Sequence, residues 1–156
     1  MRGKRAKKRD LKPDGKYGSK VITKFINYTM MDGKKSIATE VVYKALDILA
    51  DKTKMKALDA FTKAIDTVKP KMEVRSRRVG GANYQVPTPV DTERQLSLAF
   101  RWIIDGARKS RKKTDFATQL AIELVDAMNK EGAAYKKKEE ALKMAEANKA
   151  FSHFSW

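Results

Sequence analysis

Between residues 72 and 88 the chain carries a segment that no helix can absorb. Met72, Val74, Tyr84 and Val86 alternate with polar neighbours on either side of Val79-Gly80-Gly81-Ala82, and the paired glycines supply the positive-φ turn that a tight hairpin needs. A lone two-stranded ribbon is marginal in water, so it must lie on a partner or project from another body. The rest of the chain supplies that body, because its apolar residues recur at helical spacing. The expected fold class is mainly α: a single helical domain of about six helices with a protruding β-hairpin (ribbon) between the third and fourth helices.

Ser19 can cap a first helix carrying Val21, Ile22, Phe25, Ile26 and Met30, which Asp32-Gly33 ends. A second helix, from about residue 36 to residue 51, is expected to bury Ile37, Val41, Ala45, Ile48 and Leu49, with Val42 and Leu46 widening the stripe. A third, from about 54 to 68, presents Leu58, Phe61, Ile65 and Val68 before Pro70 stops it. Pro87 and Pro89 are expected to prevent the second strand from continuing, and Thr92 with Gln95 matches a capping box for the fourth helix. Thr114 or Asp115 caps a fifth with Phe116, Leu120, Leu124 and Met128. The last, from about 133 to 148, has Lys136 to Lys138 near its start and only Ala134, Ala141, Leu142 and Ala145 in its apolar strip, so loose docking is expected. The organisation read from this is a basic arm over residues 1–18, a helical domain over 19–150 with the ribbon at 72–88, and an aromatic tail over 151–156.

Lys and Arg number 35 against 19 acids, a net charge of +16 that self-repels unless a polyanion neutralises it. All ten arginines lie in residues 2–9 and 75–111, and a guanidinium grips phosphate with two parallel bonds where an ammonium is a hydrated point charge. Arg2, Lys4, Arg5, Lys7, Lys8, Arg9 and Lys12 make the first 12 residues an arm without an apolar stripe, to be ordered by an anion. On the fourth helix Leu96, Ala99, Phe100, Ile103 and Ala107 share one side. Arg94, Arg101 and Arg108 fall within about 40° of each other on the other side, a spine of about 21 Å. Asp105 sits on that face too, so solvated ion pairs with Arg101 and Arg108 are the competing reading. Arg108, Lys109, Arg111, Lys112 and Lys113 follow as a second anchor with no acid among them. Lys34 and Lys35 with the amides of the second helix's N-terminus suit a single phosphate, although Gly33-Lys34-Lys35-Ser36 fails the nucleotide-loop pattern at Tyr28 and Lys35. The tail aromatics Phe151, Phe154 and Trp156 can stack on a base or pack back onto the domain.

Other classes fall away on composition. No apolar run approaches the roughly 20 residues that span a bilayer, the basic start lacks a secretory apolar stretch, and Cys is absent, so an intracellular protein with no membrane partner is expected. His153 is the only histidine and Cys is absent, which leaves no His-centred relay, no His cluster for a metal and no thiol nucleophile; neither enzymatic activity nor a cofactor is expected. A DNA-bending protein would carry an apolar or Pro wedge at the ribbon tip, whereas this tip is Gly-Gly-Ala-Asn.

With these residues laid out, the chain closely resembles the small-subunit ribosomal protein seven family, nearly end to end. The resemblance rests on Phe25-Ile26, Gly33-Lys34-Lys35, Val41-Val42 and Ala45. It extends through Ser76-Arg77-Arg78-Val79-Gly80-Gly81 with Tyr84-Gln85-Val86-Pro87, Arg101-Trp102-Ile103, and the run Met144 to Phe151. It implies a protein that binds the 3′ domain of small-subunit rRNA, nucleates assembly of the head, meets neighbouring ribosomal proteins of the head and platform, and lies beside the exit-site tRNA and mRNA in cytoplasmic ribosomes. By the resemblance the arm cations, Lys34, Lys35, Arg75, Arg94, Arg101 and Arg108 to Lys113 face rRNA. Arg77, Arg78, Gly80, Gly81, Asn83 and Tyr84 lie near tRNA and mRNA, and Lys149 and Trp156 make a tail contact. The ending Phe154-Ser155-Trp156 departs from many bacterial relatives, which carry a basic residue before Trp.

Overall fold

The computed structural model describes residues 3, 9–111 and 114–154. Helices α1 (Lys20–Thr29), α2 (Lys35–Thr53) and α3 (Ala57–Val68) precede strands β1 (Met72–Val79) and β2 (Ala82–Pro89). Helices α4 (Thr92–Ser110), α5 (Phe116–Met128) and α6 (Gly132–Ala147) follow, and a 3₁₀ helix spans Lys149–Phe154. The mainly α architecture with one antiparallel ribbon between the third and fourth helices is the expected one.

Helix α5 is the central element because its small residues let neighbours approach closely: Ala117, Leu120, Ala121, Leu124 and Ala127 are all fully buried. It packs against α2, α3, α4 and α6. Phe116 and Met128, expected in its stripe, are only half-buried at its ends. Beside it Phe25, Phe61 and Phe100 bring α1, α3 and α4 together, with Phe25 centred 5.1 Å from Phe61 and 5.0 Å from Phe100 in edge contacts. Such pairs contribute about 0.5–1.5 kcal/mol each beyond their burial.

On α2 the expected Val42, Ala45, Leu46 and Leu49 are buried together with Ala38; Val41 and Ile48 are half-buried beside them, and Ile37, expected inside, is 56% exposed. The helix is apolar around most of its circumference, so periodicity alone does not choose the face; the two alanines admit α5. Leu58, expected in the core, stands at the start of α3 and is 36% exposed, while Ala60 and Ala64 join Phe61, Ile65 and Val68 inside. Lys54 is not helical: it takes the left-handed conformation (φ 56°) that ends α2, donating its N–H to the Ala50 carbonyl at 2.9 Å.

The segments that lead into α1 and α4 are fixed by side-chain bonds, not by side-chain caps. The Asp14 carboxylate accepts the N–H groups of Tyr17 and Ser19, both at 2.8 Å, that of Lys16 at 3.2 Å, and the Tyr43 hydroxyl at 3.2 Å. Burial pushes this carboxyl up, but those donors together outweigh it and hold Asp14 below its ordinary range. Residues 10–18, expected as arm, thus lie against α1 and α2, where the Thr23 hydroxyl also donates to the Lys12 carbonyl at 2.9 Å. At α4 the Thr92–Gln95 capping box does not form; Asp91 is the N-cap and the Gln95 side chain donates to the Val90 carbonyl at 2.8 Å.

The second strand continues through both prolines. The two-residue turn makes Val79↔Ala82 a hydrogen-bonded pair, so Val74↔Pro87 and Met72↔Pro89 fall in the alternate phase, where no N–H is asked of β2. Helix α6 docks more firmly than its strip suggests. Beyond Ala134 and Ala145, Lys138 donates to the Thr67 carbonyl in the last turn of α3 at 2.6 Å, and the buried Glu123 accepts the Ala134 N–H at 2.8 Å. The 3₁₀ helix then returns the tail to the ribbon: Tyr84 lies 5.3 Å from Phe151 and 5.0 Å from Phe154, ring centre to ring centre. Of the two readings open for the tail, packing back holds for Phe151 and Phe154.

Candidate nucleic-acid interface

Between α1 and α2 the chain turns through Asp32 and Gly33, both at positive φ (52° and 72°). The first bond within α2 runs from the Ala38 N–H to the Lys34 carbonyl, so the amides of Ser36 and Ile37 open outwards between the exposed Lys34 and Lys35. That end of α2 carries partial positive charge as well as two ammonium groups.

Helix α4 brings its C-terminal cations to the same place from far along the chain. Arg108 donates from Nη2 to the Thr29 carbonyl at 3.0 Å, and its guanidinium stands over Phe116, 5.9 Å from the ring centre. Arg111 donates from Nε to the Thr114 carbonyl at 3.3 Å. Lys34, Arg108 and Arg111 line one groove together with Met31, Ile37 and Phe116. Asp115 is the sole carboxylate among the lining residues, and Lys44 holds it at 2.8 Å, which keeps its carboxyl below the ordinary range and cancels its charge. On the other side of α2's first turn, Lys12 and Lys35 line a second cleft with Thr39 and Tyr43.

Further along α4 each remaining arginine of the spine has a partner. Arg101 stands 6.0 Å over the Tyr28 ring, and Arg94 pairs with Glu73 of β1 at 2.8 Å. The spine therefore runs from the ribbon base, past α1, to the groove. Asp105 does not join it; its nearest cation is Lys137 of α6 at 3.9 Å, because α6 crosses that flank of α4. The ion-pair cluster Arg101–Asp105–Arg108 is not formed. The arginines are instead held in place by protein groups that leave much of each guanidinium exposed, an arrangement that reduces the entropy a bound phosphate must remove.

Lys34, Arg108 and Arg111 thus share one groove, Lys12 and Lys35 line a second cleft, and Arg101 and Arg94 follow along α4. A family model described as "Ribosomal protein S7p/S5e" matches residues 1–149. The chain belongs to that family. A protein of a Nitratiruptor species named small ribosomal subunit protein uS7 is 58% identical over 157 residues, covering 100% of both chains. Proteins of the same name from Sulfurimonas denitrificans (53% over 156 residues, 100% of both) and Cereibacter sphaeroides (55% over 151 residues, 97% of this chain and 96% of the relative) are also similar. The family is one of structural ribosomal proteins, not enzymes. No helix among the described residues is long and apolar enough to cross a membrane.

The ribbon's family residues are distributed over two faces. Arg77↔Tyr84 and Arg78↔Asn83 are adjacent pairs, so Tyr84 and Arg77 share the side on which the tail packs, while Arg78 and Asn83 are exposed on the other. Gly80 and Gly81 make the turn at φ 56° and 91°, with open space where a side chain would stand. Arg75 is drawn back to Glu73 at 2.6 Å, and Lys149 lines a cleft with Met72, Pro87 and Leu142 of the ribbon base and α6. Arg9 and Lys109 are exposed; Arg2, Lys4, Arg5, Lys7, Lys8, Lys112, Lys113 and Trp156 lie outside the described residues.

Two contributors escape a reading by sequence. Glu73 is the acid that fixes Arg75 and Arg94: burial pushes its carboxyl up, and the two guanidiniums more than reverse this, so it stays ionised below the ordinary range. Tyr28 supports Arg101, and the Ser97 hydroxyl and that guanidinium lower its phenol against the effect of burial. Only the helical spacing of Tyr28 from Phe25 hinted that it borders the core.

Proposed function

We propose that this protein is a primary rRNA-binding protein of the small ribosomal subunit, that it binds the 3′ domain of the small-subunit rRNA, and that it nucleates assembly of the head. The observation that carries the reading is the convergence of Lys34, Arg108 and Arg111 on one groove, flanked by Lys12 and Lys35. Cations so distant in sequence are gathered by the fold, and a run of backbone phosphates is a ligand that would neutralise them together. Side chains do not enter the deep major groove of an RNA helix, so the surface reads backbone shape, with stacking on unpaired bases adding selectivity. Electrostatics then dominates affinity.

The ribbon has a second role in this reading, beside the exit-site tRNA and the mRNA. Its glycine turn lets another backbone approach closely, and Arg78 with Asn83 offers a polar, cationic face there. Tyr84 acts from within, as the post on which the tail aromatics rest. Neighbouring ribosomal proteins of the head and platform complete the surroundings, in the cytoplasmic ribosome. Affinity for a 3′-domain rRNA fragment and for duplex DNA of equal length, at matched salt, tests the proposal. It requires tighter binding to the rRNA; equal affinity for the two would reduce the surface to a general polyanion binder.

A further inference from the structure

The groove beneath Lys34, Arg108 and Arg111 has more apolar surface than a phosphate site requires. Met31 is 60% exposed and Ile37 56% exposed, and they stand over the buried Ala38 and the half-buried Val41 and Phe116. Ile37 has the composition of a core residue and the placement of a binding one. The groove is open to solvent on one side and its volume is about 410 Å³, within the roughly 300–1,000 Å³ of small-molecule sites. Cations crown it, and its one carboxylate is neutralised by Lys44.

We infer that this groove receives a single unstacked nucleotide of the bound RNA, its base against Met31, Ile37 and Phe116 and its phosphate on Lys34, Arg108 and Arg111. The inference rests on the RNA-binding reading above and adds a point of selectivity to it. Unpaired RNA bases are recognised by stacking on aromatic rings and guanidinium planes, and here the groove offers both: the Phe116 ring, and the Arg108 guanidinium 5.9 Å from that ring's centre and tied to the Thr29 carbonyl. Charge decides the class of occupant. An apolar protein segment would cover Ile37 but bury three cations against nothing, whereas a nucleotide brings an apolar face and an anion together.

The test compares the full chain with Ile37→Ser and Met31→Ser, and with Leu58→Ser as a control for losing an exposed apolar side chain elsewhere. Affinity for a 3′-domain rRNA fragment is measured over a salt series, with melting temperatures in parallel. Each groove variant should bind about 5- to 100-fold more weakly at an unchanged salt slope, and Leu58→Ser should bind like the wild type, with all melting temperatures close. A photoreactive residue at position 37 should crosslink to one nucleotide. Tight wild-type binding with both groove variants unaffected, or a crosslink to protein in the assembled subunit, overturns the nucleotide pocket alone. Failure of the wild type to bind the fragment overturns the RNA-binding reading and this inference with it.

Discussion

Arg94 grips Glu73 across the junction of α4 and the ribbon, with Nε 2.9 Å from Oε1 and both Nε and Nη2 2.8 Å from Oε2. Arg75 holds the same carboxylate from within β1 at 2.6 Å. One acid thus ties the base of the ribbon to α4, beside the contacts that the ribbon makes with α6 and the tail.

Arg94→Gln should therefore act differently from the other spine substitutions. Arg94 is substantially exposed, so solvent screening keeps the cost in fold stability near 1 kcal/mol. Hydrogen exchange at the base of β1 should rise while the exchange of α5 stays unchanged. Equal protection in variant and wild type would show that the pair does not hold the ribbon. Glu73 is held ionised, so what it contributes is full above its ordinary 4.5 and is lost as pH falls through its lower folded value; the difference between variant and wild type should shrink in acid.

Gly106 lies inside α4, where helix propensity alone says that Ala should add about 1 kcal/mol. The structure reverses that sign. A Cβ at Gly106 would lie 2.8 Å from Glu123 Oε1 and 2.9 Å from its Cδ, and this carboxylate is pinned by the Ala134 N–H. Gly106→Ala should destabilise by about 1–3 kcal/mol in chemical denaturation, and much less so in a Glu123→Ala background. A stabilised single variant would mean that Glu123 yields freely.

Glu123 is 3% exposed. Burial pushes its carboxyl above the ordinary value of 4.5 and the Asp126 charge adds to this, against the N–H groups of Ala134 and Ala133. The folded protein then binds a proton more tightly than the unfolded chain, so this group's contribution is greatest below 4.5 and declines as pH rises through the folded value. Glu123→Gln should remove that decline. Unfolding free energies measured from pH 4.5 upward should fall less for the variant; parallel curves would contradict the assignment.

The helices and the ribbon were legible because each has its own short-range signature: 3.6-residue spacing, the Gly80-Gly81 turn, and Pro70 after α3. Ile37 and Leu58 were not. Helix α2 is apolar on more than one side, so spacing alone leaves its buried face open, whereas Leu58 lies on the apolar side of α3 but in its first turn, where burial is incomplete. Contacts such as Glu73 with Arg94 and Tyr84 with Phe151 leave no local trace, since partners far apart in sequence are chosen by the packing of whole elements. The site was legible as residue types, and its gathering of Lys34 with Arg108 was not.

The tail offers a direct check on that long-range packing. Changing both Phe151 and Phe154 to Ser should remove two ring contacts worth about 0.5–1.5 kcal/mol each from Tyr84. Amide exchange over residues 77–84 should accelerate, while the melting of the helical core shifts little. If core melting falls by many degrees instead, the tail belongs to the main cooperative unit.

In the proposed complex the cations gathered at the groove neutralise phosphates. The measurement is the slope of log affinity against log salt for the 3′-domain rRNA fragment, in the wild type and in a variant with Lys34, Arg108 and Arg111 all changed to Gln. Each lost phosphate contact makes the slope shallower by about 0.7–0.9, so the account predicts a change of about two units with melting temperature nearly unchanged. An unchanged slope would contradict it, and a matching fall in melting temperature would reassign these side chains to holding α1, α2 and α4 together.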